Sequence, residues 1–124
     1  MANQPLTGLS RLVAAFRNSR AGFRDVWKSE EAVRMECIGL VISVPVAFWR
    51  ASSGFQSAML VGSVLFVLIV EVLNSAIEAV VDRIGVERHE LSRIAKDLGS
   101  LAVLLAMVLA ALLWVGAIWD AVFA

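Results

Sequence analysis

Three runs without a charged side chain, residues 37–49, 51–70 and 98–119, leave this 124-residue chain little freedom in how it folds. A helix needs about 20 apolar residues to cross a bilayer core of about 30 Å. The second and third runs meet that length. The first falls short, and suffices only if its helix begins near Ala32 with Glu36 at headgroup level. Pro45 lies inside it and can kink it, which membrane helices tolerate. Residues 51–54, Ala-Ser-Ser-Gly, read as the turn before the second span. With 60% hydrophobic residues and a mean hydropathy of +0.81, a soluble domain this small would leave roughly a third of its apolar surface outside. The expectation is an all-α integral membrane protein, one domain over 1–124. It has an N-terminal amphipathic surface helix over 6–29 and helices over 32–49, 55–82 and 93–120 that contain three transmembrane spans.

Basic residues orient these spans. Arg11, Arg17, Arg20, Arg24, Lys28 and Arg34 precede the first span, and Arg83, Arg88, Arg93 and Lys96 separate the second from the third. Only Arg50 lies between the first two, and none follows the last. The positive-inside rule therefore places the N-terminus and the second connection in the cytoplasm. Trp49, Trp114 and Trp119 then fall toward the outer interface and Trp27 toward the inner one, as aromatic belts require. Before the first span, Leu9, Leu12, Val13, Phe16, Phe23, Val26 and Trp27 recur at helical spacing, with most of the arginines on other faces. This segment reads as a basic amphipathic helix on the cytoplasmic leaflet, attracted to anionic lipid. A sharper reading has its arginines also closing over an anionic substrate such as a nucleotide.

The segment that continues the second run is polar where polarity is costly. At 100° per residue, Glu71, Asn74, Ser75, Glu78 and Asp82 fall within about 100° of one another on one helix face. Val72, Leu73, Ile77, Val80 and Val81 form the opposite face. Ionisable groups on membrane helices usually face a protein interior, a cavity or an ion. The stripe therefore suggests a metal and proton-transfer site; its bland alternative is a polar face that packs helices or meets the cytosol. If the helix starts near Phe55 at the outer interface, Glu71 is about 24 Å down it, near the inner headgroup boundary. Glu78 lies about two turns further out and Asp82 at the end. One helix thus offers a base at lipid-headgroup depth and carboxylates for a cation beside a water-soluble partner.

Other groups are less decisive on pattern alone. Lys96, Asp97 and Ser100 open the third span, and a lysine there suits phosphate, although snorkelling explains it equally. His89, the sole histidine, reads as a solvated loop residue. Glu30, Glu31 and Glu36 stand at the membrane entrance, and one of them could join Glu78 on a divalent cation, since magnesium takes few carboxylates plus phosphate oxygens. Cys37 is a small hydrophobe without a disulfide partner in this chain. No secretory leader is expected from the arginine-bearing start. The zero formal net charge gives no basic excess for nucleic acid, and the familiar soluble nucleotide, zinc and serine-hydrolase signatures do not occur.

Residues 71–85, Glu-Val-Leu-Asn-Ser-Ala-Ile-Glu-Ala-Val-Val-Asp-Arg-Ile-Gly, closely resemble the signature of the small prokaryotic, integral-membrane diacylglycerol kinases. His89-Glu90-Leu91-Ser92, Ala95-Lys96-Asp97 with Gly99-Ser100, and Gly22-Phe23-Arg24-Asp25-Val26-Trp27 with Glu30, Ala32, Arg34 and Glu36 extend the resemblance over almost the whole chain. It weakens only in the first span and the C-terminal tail. The resemblance implies three transmembrane helices with a surface helix, a homotrimer with active sites shared between subunits, and transfer of the ATP γ-phosphate to the primary hydroxyl of diacylglycerol. It implies a multi-pass protein of the bacterial inner membrane with a periplasmic C-terminus. By that resemblance Glu71 is the general base, and Glu30 and Glu78 hold Mg2+ with ATP. Arg11, Glu87, Arg88, His89, Lys96 and Asp97 also bind ATP. Arg11, Arg24, Trp27, Glu71 and Ser100 line the lipid site, and Asn74, Asp82, Arg34 and Glu36 support it. One departure stands out: the best-known relatives carry an aromatic where this chain has Asn18, which leaves adenine contacts there open.

Physical chemistry supports such roles beside the resemblance, since phosphoryl transfer needs positioning and charge neutralisation more than covalent chemistry. The nearest alternative is an undecaprenol kinase, a related Gram-positive branch on the same scaffold. Asp97-Leu98-Gly99-Ser100 looks more like the diacylglycerol branch, because the Gram-positive members tend to carry alanines there. A small transporter or proton relay is a rival from another class, but it calls for acids in mid-membrane rather than at one end. A non-enzymatic scaffold whose stripe only packs helices is a third.

Overall fold

The structure, a computed structural model, describes residues 5–123. Residues 1–4 and 124 of the expected 1–124 unit lie outside the described residues. The chain forms α1 (Gly8–Ser29), α2 (Glu31–Arg50), α3 (Gly54–Ile84) and α4 (Glu90–Phe123). The last three are long and apolar enough to cross a membrane. At 1.5 Å per residue α2 is about 30 Å long, α3 about 46 Å and α4 about 51 Å. α2 matches a bilayer core, whereas α3 outruns it by about three turns and α4 by about four. The latter two pack together and share one short connection. Their surplus lengths therefore project side by side, carrying Glu78, Asp82, Glu90, Arg93, Lys96 and Asp97, with Glu71 about 26 Å along α3 and within one core's length.

Local chemistry explains the boundaries. α1 begins at Gly8 rather than residue 6, because Gly8 turns the chain with a φ of 59°, a region closed to most side chains. A single extended residue, Glu30 (φ −121°, ψ 108°), breaks α1 from α2 and serves as the N-cap position of α2. Its own N–H still donates to Val26 O at 2.9 Å, closing the last turn of α1. Arg34 secures this corner, with Nη1 donating to Trp27 O at 2.7 Å and Lys28 O at 3.4 Å, among the terminal carbonyls that a helix leaves unpaired. α3 opens with a reciprocal cap. The Gln56 N–H donates to Ser53 Oγ at 3.0 Å, and the Ser52 N–H donates to Gln56 Oε1 at 2.7 Å. α4 starts at Glu90, three residues before the expected 93. There the Leu91 N–H donates to His89 Nδ1 at 3.1 Å, a cap that the apolar pattern does not encode.

The core is thin and made of small groups. Val33, Ala47, Leu60, Val67, Val81 and Ala106 are buried, as are Ser43, Ser57 and Ser63. Small residues let membrane helices approach and hydrogen-bond each other. Ser57 Oγ donates to Ala47 O at 3.3 Å, joining α3 to α2. Trp114 Nε1 donates to Leu60 O and to Ser63 Oγ, both at 3.2 Å, joining α4 to α3. The indole N–H of Trp114 is thus engaged in helix pairing rather than with an interfacial headgroup. Trp114→Phe is expected to cost about 0.5–1.5 kcal/mol, one net hydrogen bond, read as a lowered unfolding midpoint in detergent. An unchanged midpoint would show that the donor contributes nothing.

The chain exposes 9519 Å², against about 6500 Å² for a soluble monomer of its mass. Much of the excess is apolar: Leu104, Leu105, Leu112, Val115 and Ile118 all face outward. On α1, Leu9, Leu12, Phe16 and Phe23 are likewise exposed.

Candidate active site

Two open spaces on the projecting end share Asp82. The first, about 710 Å³, runs between α1 and α3 and is lined by Asp25, Glu30, Ser75, Glu78 and Asp82, with Gly22 in its α1 wall. The second, about 300 Å³, lies at the α3–α4 turn and is lined by Asp82, Glu87, Arg88, His89, Lys96 and Asp97. Glu87, Arg88, His89, Lys96 and Asp97, expected at a nucleotide, thus line one space, and Glu30 and Glu78, expected at the cation and the nucleotide, line the other.

Helix spacing builds the first space. Glu71, Asn74, Ser75 and Glu78 are half-buried on one stripe of α3, and Asp82 is exposed at its end. Ser75 Oγ donates to the Glu71 carbonyl at 3.0 Å, so its hydroxyl serves the helix. Asn74 Nδ2 donates to Glu78 Oε1 at 3.4 Å. Val72, Leu73, Ile77 and Val80 on the other face are exposed. Val81 is not: it is 8% exposed and forms a wall of the α3–α4 space. It stands seven residues after Asn74, about 20° away on the helix, so it belongs to the flank that meets α4. The Glu30 break puts that residue on the wall of the groove that faces α3.

Opposed charges order the second space. Lys96 Nζ lies 2.7 Å from Asp82 Oδ1, so the ion pair ties α4 to α3 where the two spaces meet. Arg93, which also lines this space, bonds Glu90 and Asp97, the latter at 2.8 Å. In the sequence, Arg93 stands out only as a charge that orients the spans. Its spacing from Glu90 and Asp97, three and four residues, was the signal that one helix face gathers them.

Other expected residues stand apart. Glu71 lines neither space, and Arg11 and Ser100 are exposed and line neither. Arg24 and Trp27 line a shallow groove of about 380 Å³ on α1 with Arg20, Phe23 and Lys28. Arg34 braces the α1–α2 corner, and Glu36 is half-buried on α2.

Among the described residues, no three His, Cys, Asp or Glu side chains converge as a ligand set. Glu30 and Glu78 on one groove nevertheless fit magnesium, which is commonly held by one or two carboxylates together with substrate phosphates. They do not resemble a cage built wholly from protein.

Residues 17–118 match the family described as "Prokaryotic diacylglycerol kinase". A protein named diacylglycerol kinase from Escherichia coli strain K12 is 46% identical over 120 residues, covering 97% of this chain and 98% of the relative. One of the same name from Haemophilus influenzae is 42% identical, covering 89% and 93%. Another from Helicobacter pylori strain 26695 is 32% identical, covering 86% and 84%.

Proposed function

This chain belongs to the prokaryotic diacylglycerol kinase family, and on that premise we propose that it transfers the γ-phosphate of MgATP to the primary hydroxyl of diacylglycerol, giving phosphatidic acid. It is a bacterial membrane kinase, with α2, α3 and α4 as its candidate spans. The observation that carries the reaction is the sharing of Asp82 by a carboxylate groove and a pocket of about 300 Å³ lined by Glu87, Arg88, His89, Lys96 and Asp97.

Each residue then has a task. Glu87, Arg88, His89, Lys96 and Asp97 hold ATP, with Lys96 placed beside the groove by Asp82. Arg11, from α1, joins them from outside this pocket. Glu30 and Glu78 hold Mg2+. An ion held by these two carboxylates would neutralise the negative charge of the transferring phosphate. Glu71, at headgroup depth, takes the proton from the lipid hydroxyl. The hydroxyl oxygen bonds to the γ-phosphorus, the bond to the β–γ bridging oxygen breaks, and ADP departs. Arg11, Arg24, Trp27 and Ser100 hold the lipid, while Asn74, Asp82, Arg34 and Glu36 support the carboxylates and the α1 corner.

A homotrimer with shared sites suits this chain for two reasons. Its apolar exposure exceeds what one thin core covers, and Glu71, Arg11 and Ser100 do not converge with the two spaces within one subunit. A cytoplasmic N-terminus and a periplasmic C-terminus follow from the distribution of arginine and lysine. The α1 apolar side, with Leu9, Leu12, Phe16 and Phe23, lies on the membrane surface.

The test is transfer of label from γ-labelled MgATP in mixed micelles, with diacylglycerol and undecaprenol offered separately. Labelled phosphatidic acid is the expected product. Label on undecaprenol alone keeps the mechanism and changes the substrate. Label on neither overturns the kinase reading and returns the stripe to transport or packing.

A further inference from the structure

Asn74 makes a contact that the reaction as described does not use. Its Oδ1 is buried and has no hydrogen-bond partner among the described residues. A buried, unpaired carbonyl oxygen costs free energy, so its position needs a cause. The cause lies on the facing helix. Gly99 is buried on α4, and Asn74 Oδ1 occupies the space where a Gly99 Cβ would stand, with Asn74 Cγ 3.1 Å from that point. The carboxamide is therefore seated in a gap that only glycine leaves open.

Seating one end of the amide orients the other. An ionised carboxylate only accepts hydrogen bonds, so the amide must turn its donor, not its oxygen, toward Glu78. It does so, with Nδ2 3.4 Å from Glu78 Oε1. Any rotation away from Gly99 would move that donor. Resting on the assignment of Glu78 to the cation, we propose that Gly99 is a positioning residue for the metal–nucleotide site. Its missing Cβ leaves room for the Asn74 amide, which donates to Oε1 of Glu78 on the wall of the groove. Outer partners of this kind typically set metal affinity within about 10- to 100-fold.

The experiment is binding of Mn2+ together with a non-hydrolysable ATP analogue, read by electron paramagnetic resonance on the full-length protein in micelles. Gly99→Ala is expected to weaken Mn2+ binding about tenfold, and Asn74→Ala by a similar factor. The double variant should be no worse than Asn74→Ala, because without the carboxamide the added methyl meets only the Cβ of residue 74 at 3.8 Å, an ordinary van der Waals contact. This non-additivity separates positioning from general damage to the α3–α4 interface, which would add to the Asn74→Ala effect. Glu78→Gln is the control. If it loses Mn2+ while Gly99→Ala binds normally, or if the double variant is additive, this inference is overturned alone. If Glu78→Gln binds Mn2+ normally, the cation assignment fails, and this inference with it.

Discussion

Glu71→Gln is expected to lower phosphoryl transfer by at least about 100-fold, and by up to about 10⁴-fold, the range that a positioned general base contributes. The unfolding midpoint in detergent should stay near that of the unsubstituted protein. The substitution is nearly isosteric, and the hydrogen bond that Ser75 makes at this turn goes to the Glu71 backbone carbonyl rather than to its carboxylate. The side chain is half-buried and has no salt-bridge partner among the described residues, so little packing or pairing is lost. A loss of rate without a loss of fold therefore points to the proton. Added Mg2+ should not restore the variant, because neither the groove carboxylates Glu30 and Glu78 nor the nucleotide pocket has changed. Transfer at the ordinary rate by Glu71→Gln would remove this residue from the chemistry.

Apolar runs and charge spacing reveal much of this architecture before any coordinates, since helix length and face follow from periodicity alone. The stripe from Glu71 to Asp82 is legible for that reason. Glu87, Arg88, His89, Lys96 and Asp97, by contrast, come together only through the family resemblance. Pattern alone reads His89 as a solvated loop residue and Lys96 equally as a snorkelling side chain. What was not legible depends on how one helix is rotated against another. Val81 sits at the edge of the stripe by angle, and only the placement of α4 decides whether it meets lipid or protein. The fit of Asn74 into Gly99 is a matter of ångströms between residues 25 apart in sequence. The early start of α4 comes from a histidine cap that apolar periodicity does not encode. Arg93 was counted for its charge, and only the side-chain geometry assigns that charge to Glu90 and Asp97.

Glu78→Gln should fail in a different way from Glu71→Gln. Glu78 shares the α1–α3 groove with Glu30 and Asp82, so its charge acts on whatever cation accompanies the nucleotide. Replacing it keeps a carbonyl oxygen and the shape of the side chain but removes the full negative charge. A charge-assisted contact contributes about 1.5–3 kcal/mol, which corresponds to a shift of roughly 10- to 100-fold in the Mg2+ concentration needed for half-maximal rate. At saturating Mg2+ much of the rate should return, because Glu71 and the Lys96–Asp82 pair remain in place. Glu30→Gln should shift the same titration in the same direction, since its carboxylate enters the groove from the opposite wall. The two substitutions together should weaken Mg2+ further than either alone, as two ligands of one ion require. The measurement is a Mg2+ titration of label transfer at fixed ATP and diacylglycerol. A Glu78→Gln protein that needs no more Mg2+ than the unsubstituted one, or whose lost rate no amount of Mg2+ restores, would take Glu78 off the cation and leave the groove without its assigned ligand.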